Sequence, residues 1–160
     1  MSLNLESRIG SLLRERGGTL ALAESCTGGL ISNRITNVPG SSDYFLGGIV
    51  AYAYQAKVDL LGVSWETLNM HGAVSREVVL EMAEGARKSL KAKLGASVSG
   101  IAGPDGGSPD KPVGTVWIAV AAPEGAWTRE FHFSGTREAI KSASADVTLQ
   151  IILDYLEGNL

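Results

Sequence analysis

Short apolar runs of strand length alternate along this chain with stretches whose apolar residues recur every three or four positions. No other feature restricts the fold as much. Leu3, Leu5, Ile9, Leu12 and Leu13 have helical spacing, which stops at Gly17 and Gly18. Thr19 to Ala23 reads as a buried strand, and Leu30 to Thr36 as a helix ended by Asn37-Val38-Pro39-Gly40. The aromatic and β-branched run Tyr44 to Tyr54 predicts a strand, and Gln55 to Leu61 a short helix. Ser64 is placed to cap a helix over Trp65 to Met70. Ser75 is placed to cap another, Arg76 to Lys93, with Val78, Val79, Met82, Ala86 and Leu90 as its buried stripe. Ala96 to Ile101 predicts a strand, followed by a Gly/Pro-rich loop over Ala102 to Pro112. Strands Gly114 to Ala122 and Trp127 to Phe133 flank a turn at Pro123-Glu124-Gly125. Thr136 caps a last helix with Ile140, Val147, Ile151 and Tyr155 on its apolar side. This order predicts an α/β layered sandwich: one mixed, mostly parallel sheet with helices on both faces, its antiparallel part supplied by the hairpin. Residues 1–160 contain no linker or repeat and read as a single domain.

Composition narrows the chemistry. A 44% hydrophobic, 19% charged chain has the balance of a globular domain. A net charge of -3 argues against a general nucleic-acid binder, and no apolar run is long enough to span a bilayer. Met1 to Arg16 lacks the charged start and apolar centre of a signal peptide, so a cytoplasmic location is expected. With one cysteine and two histidines there is no intrachain disulfide and no set of zinc ligands, so neither a metal nor another cofactor is expected.

Four segments could carry a reaction. Ala23-Glu24-Ser25-Cys26-Thr27-Gly28-Gly29 follows a strand and opens a helix, where unpaired amides can hold a phosphate or an oxyanion; the plain alternative is a turn capped by Ser25 or Thr27. Cys26 in that turn is a possible nucleophile, but a lone cysteine is more often a small packing residue. Pro39-Gly40-Ser41-Ser42 has the composition of an ordinary turn. Tyr52 and Lys57 fall at the end of the Tyr44–Tyr54 strand; a desolvated lysine can serve as a base, although most lysines are solvated. The fourth segment, Ser99 to Gly107, leaves a strand end where α/β sheets bind ligands, and glycines surround its Asp105. Arg137, in the first turn of the last helix, opposes the helix dipole and suits a bound anion. His71 precedes a loop glycine, and His132 should face solvent from its strand. The lysines and arginine of 87–93 read as a wet helix face.

Taken together, AESCTGG at 23–29, PGSSDYF at 39–45, GGIVAYAYQAK at 47–57, HGAVS at 71–75, SGIAGPDGG at 99–107 and KPVGTVW at 111–117 resemble the CinA C-terminal domain family of nicotinamide-nucleotide amidohydrolases. The resemblance implies an α/β sandwich that hydrolyses the carboxamide of nicotinamide mononucleotide to the acid and ammonia, by a serine/lysine dyad without metal. Longer relatives carry an N-terminal domain similar to molybdopterin-binding proteins; residues 1–160 lack it, so its activity is not expected here. The family often has Tyr-Ser-Asn where this chain has Tyr52-Ala53-Tyr54. On this pattern Lys57 takes the proton of a serine, and Lys57 or Tyr52 returns it to the leaving ammonia. Either Ser42 or Ser25 is the nucleophile, with Ser42 preferred if phosphate fills the helix start after Cys26. Backbone at Thr27, Gly28 and Gly29 or at Gly103, Gly106 and Gly107, with Ser99 and Asp105, would hold the substrate, and Arg137 its phosphate. A homo-oligomer with a small-molecule substrate and no nucleic-acid or membrane partner is expected. Two rivals are a nucleotide-binding module linked to competence or DNA damage, and a cysteine amidase working through Cys26.

Overall fold

The structure, a computed structural model, describes residues 4–160. The expected place of Leu3 on the first helix lies outside the described residues. Helix α1 (Leu5–Glu15) starts at Asn4, whose side chain accepts from the Ser7 amide at 2.9 Å. It stops where Gly17 takes a left-handed φ of 57° and the Gly18 amide reaches back to Leu13 O. Strand β1 (Leu20–Glu24) is buried on both faces, as a central strand should be. Helix α2 (Leu30–Thr36) and a single 3-10 turn at Ser41–Asp43 lead to strand β2 (Phe45–Val50). Helices α3 (Tyr54–Leu61), α4 (Trp65–His71) and α5 (Arg76–Ser89) precede β3 (Leu94–Gly100). The chain closes with the hairpin β4 (Thr115–Ala122) and β5 (Gly125–His132) and the long helix α6 (Arg137–Glu157). Ser64, Ser75 and Thr136 each accept a capping hydrogen bond, at the amides of Thr67, Val78 and Ala139.

The five strands form one sheet in the order β2-β1-β3-β4-β5. β1 pairs parallel with β2 and β3, and β4 runs antiparallel to both β3 and β5. Four strands therefore point one way and β4 the other, the mixed, mostly parallel sheet that was expected. Leu20, Leu22, Val98, Ile118 and Val120 face one core with Ile9 and Leu13 of α1, Ile31 and Ile35 of α2, and Ile152 of α6. Ala21 and Ala23 face the other with Leu61, Leu68, Val78 and Met82, so α3, α4 and α5 cover the second face. Among the described residues no helix is long and apolar enough to cross a membrane.

Most expected boundaries shift by one or two residues, and two move by four. The strand predicted to Tyr54 ends at Val50: the Ala51 amide makes the last bond to β1, on Glu24 O at 3.0 Å, and Tyr54 already opens α3. Helix α5 ends at Ser89, not Lys93. Lys91 adopts φ 54°, its amide bonds Lys88 O, and the Ala92 amide returns to Arg87 O at 2.8 Å. This is the closing pattern usually built on glycine, here built on lysine, so the usual sequence marker is missing. Leu90 is accordingly a half-buried residue just past the helix end, and it still packs against the same core as Val78, Met82 and Ala86.

Candidate active site

The parallel strands bring three chain segments to one place, the carboxyl ends of β2, β1 and β3, where open α/β sheets bind ligands. Ser25 is the first residue beyond β1, with its amide on Val98 O at 3.0 Å. Ala51 and Tyr52 follow β2, and Ser99 and Gly100 close β3. Lys57 comes from α3, one turn in, and not from the end of the strand. Its side chain folds back under the sheet end until the residue is 1% exposed.

Lys57 Nζ has three acceptors: Ala51 O at 2.8 Å, Tyr52 O at 2.9 Å and Ser25 Oγ at 3.0 Å. An ammonium has three protons to donate, so the charged form is fully bonded. In the neutral amine two protons remain for the two carbonyls, and the lone pair is left toward the Ser25 hydroxyl. Burial pushes the lysine down from 10.5 to about 8. Ser25, itself 7% exposed, thus faces a lysine that can be neutral near physiological pH.

A cavity of about 180 Å³ opens over this pair, lined also by Cys26, Val74, Ser99 and Arg137. Arg137, exposed at the mouth, donates to Gly103 O at 2.7 Å and to the Tyr52 hydroxyl at 3.1 Å. Tyr52 itself is 62% exposed, so its hydroxyl stands at Arg137 and its carbonyl at Lys57.

Of the residues singled out above, the structure gathers Ser25, Lys57, Tyr52, Ser99 and Arg137, with Gly103 behind Arg137. It does not bring Ser42 to Lys57. Ser42 lies exposed in the 3-10 turn before β2, whereas Lys57 follows β2. Six strand residues, about 20 Å at ~3.3 Å each, separate the two ends. The preference for Ser42 rested on phosphate filling the helix start after Cys26, and that place is taken. The Glu24 carboxylate accepts from the amides of Ile31 and Ser32, both at 2.9 Å. Thr27, proposed as a substrate contact, is buried and spends its hydroxyl on the same carboxylate at 2.7 Å. Gly28 and Gly29, at φ 60° and 100°, let the chain reverse into α2, a conformation costly for other residues. Asp105, Gly106 and Gly107 are exposed and do not line the cavity. Tyr54, at the position where the resemblance has Asn, lies outside the cavity lining, and its hydroxyl accepts from the Ala73 amide at 3.3 Å.

Cys26 lines the cavity but is 6% exposed, and burial pushes its thiol up to about 11, the opposite of an activated nucleophile. His132 is exposed, as its alternation predicted. Sequence reasoning missed Glu24, whose role depends on contacts seven and eight residues away. It also missed the Ala73–Val74 wall, apolar residues with no chemical signature. The two carbonyls that hold Lys57 belong to the backbone and could not be read from side chains.

The family model of the CinA C-terminal domain matches residues 2–156. A CinA-like protein from Thermotoga maritima is 48% identical over 154 residues, 96% of this chain and 38% of that protein. One from Geobacter sulfurreducens is 51% identical over 156 residues, 98% of this chain and 37% of its own length. The chain thus spans well under half the length of these curated relatives. Among solved structures, the competence/damage inducible protein CihA from Agrobacterium tumefaciens superposes with a TM-score of 0.92 at 41% identity, covering 98% of this chain and 99% of that one. A CinA superfamily protein from Klebsiella pneumoniae gives 0.92 at 32% identity, covering 96% of each. With sequence, family model and superposed structures in agreement from the first helix to the last, the chain belongs to the CinA C-terminal domain family.

Proposed function

We propose that this chain is an amidohydrolase that converts nicotinamide mononucleotide to nicotinate mononucleotide and ammonia, with Ser25 as nucleophile and Lys57 as its base. The observation that carries the reading is the buried Lys57 amine, 3.0 Å from Ser25 Oγ and held by two carbonyls. An amide needs a strong nucleophile, help for its leaving nitrogen and donors for the oxyanion. Ser25 Oγ attacks the carboxamide carbon as Lys57 Nζ accepts the hydroxyl proton. The same proton passes to the amide nitrogen, the C–N bond breaks and ammonia leaves an acyl ester on Ser25. Water attacks that ester with Lys57 again as base, the acid departs and Ser25 is regenerated.

At a strand-to-helix turn the amide after the nucleophile is a natural oxyanion donor. Here the amides of Cys26 and Thr27 have no backbone carbonyl partner among the described residues. Arg137 at the mouth supplies the charge for the phosphate, and Ser99, 1% exposed beside Ser25, a hydroxyl for the carboxamide.

The test is ammonia release from nicotinamide mononucleotide by the purified protein, with and without a chelator. Release in both cases is expected. Release that stops with chelator and returns with a divalent ion would overturn the metal-free mechanism. Binding of the nucleotide without release would favour a nucleotide-binding module over an amidohydrolase.

A further inference from the structure

Glu24 is 0% exposed, the most completely buried acidic residue near the site, and the mechanism above does not use it. Its carboxylate takes four hydrogen bonds. Oε1 accepts from the Thr27 hydroxyl at 2.7 Å and the Ile31 amide at 2.9 Å; Oε2 accepts from the Ser32 amide at 2.9 Å and the Ser32 hydroxyl at 2.7 Å. All four partners are donors, so the site requires an acceptor-only head group of this reach. The backbone of the same residue also accepts, at O, from the Ala51 amide at 3.0 Å, and Ala51 O is one of the two carbonyls that hold Lys57.

We propose that Glu24 is the positioning residue of the nucleophile: its carboxylate ties the Ser25–Gly28 turn to the first turn of α2 and so sets the Ser25 hydroxyl against Lys57. Thr27 is the only member of that turn it touches through a side chain, and Ile31 and Ser32 anchor the other end. The carboxylate also fills the α2 start, so no substrate anion binds there and the phosphate is left to the Arg137 side of the cavity. Charge on Lys57 is not the route. The lysine's downward shift comes from burial, and Glu24 makes no contact with its amine. This inference rests on the reading of Ser25 as nucleophile.

Glu24→Gln tests it with little change in volume. Whichever way the amide is turned, its NH₂ meets a backbone N–H, of Ile31 or of Ser32, that cannot rotate to accept. The expected result is a fall of about tenfold or more in kcat, with KM within about twofold and the pH limb near 8 unmoved. Labelling of Ser25 by phenylmethanesulfonyl fluoride, followed by mass spectrometry, should slow in parallel. An unchanged kcat in a folded variant that merely melts earlier would make Glu24 structural only. A displaced pH limb would show that it acts through the charge of Lys57. Both results overturn the proposal.

Thr27→Val provides the second arm. It should lower kcat by a smaller factor, and the double variant should be no slower than Glu24→Gln alone, because both changes cut one link. If Glu24→Gln does not fold, an unchanged kcat in Thr27→Val overturns the proposal by itself. If the wild-type protein releases no ammonia, the amidohydrolase reading fails. The labelling rates of Ser25 in wild type and variants still decide the role of Glu24.

Discussion

Raising the pH from about 6 to about 9 should increase kcat/KM for nicotinamide mononucleotide tenfold per unit until about 8, and then level off. The burial of Lys57 sets this limb. At pH 7 a lysine at 10.5 is neutral in about 3 of every 10⁴ molecules, and one at about 8 in about one of every eleven. Burial therefore raises the fraction able to accept the Ser25 proton by about 300-fold, worth on the order of 3 kcal/mol. The substrate phosphate is half ionised near 6 and so touches only the foot of this limb, below about 7, while burial pushes the Cys26 thiol up to about 11, beyond its top. The assay is ammonia release at subsaturating substrate across the pH range, for wild type and Lys57→Arg. Guanidinium stays protonated and cannot accept, so the arginine variant should be inactive throughout. A flat wild-type profile, or an arginine variant with near-normal kcat, would refute the reasoning and reduce Lys57 to an electrostatic contact. The same shift has a sign for stability. The folded value lies below the unfolded one, so the unfolded chain binds more protons between about 8 and 10.5. Stability therefore rises with pH across that window, and below it the whole penalty of burying the ammonium is present.

Ser25→Ala should lose about 10³-fold or more in kcat, whereas Ser42→Ala, at the far end of β2, should keep it; the opposite pattern would return Ser42 to the reaction. Cys26→Ala should keep substantial activity, since its thiol is desolvated and packed; a loss of several orders of magnitude with the fold intact by circular dichroism would make Cys26 the nucleophile. Arg137→Ala should raise KM for the mononucleotide and leave turnover of the phosphate-free riboside nearly unchanged; equal losses on both substrates would remove its phosphate role. Gly85→Ala should destabilise by about 1–3 kcal/mol despite the better helix propensity of alanine, because the added carbon would stand 1.9 Å from Leu61 O, where α3 crosses α5; an unchanged urea midpoint would show that the two helices can part without cost.

Periodicity and punctuation along the chain determined the elements. Ser64, Ser75 and Thr136 mark their helices because a hydroxyl can pair with amides only three residues away. The run Thr19–Ala23 is apolar on both faces because it becomes β1, the strand between two neighbours and two helical layers. These are local or periodic signals, and they sufficed for the mixed sheet with helices on both sides. They failed where the signal was replaced by another residue, as at Lys91, which closes α5 in the place of a glycine.

The site followed a different logic. The motifs holding Ser25, Tyr52, Lys57, Ser99 and Arg137 were legible as segments, but their meeting was not. Parallel pairing of β2, β1 and β3 decides which strand ends coincide, and it places Ser25 with Lys57 and sends Ser42 to the opposite end of the sheet. Ser42 is closer to Lys57 in sequence than Ser25 is, so chain distance pointed the wrong way. The character of Lys57 was equally non-local. Its type says only that it carries an amine; burial under the sheet end, beside the carbonyls of residues 51 and 52, brings that amine down to about 8. Glu24 reads as an ordinary acidic residue in a turn until α2 folds over it and its carboxylate meets four donors. Desolvation and hydrogen-bond geometry depend on what surrounds a group in space, and for these residues that is set by strand register and layer packing.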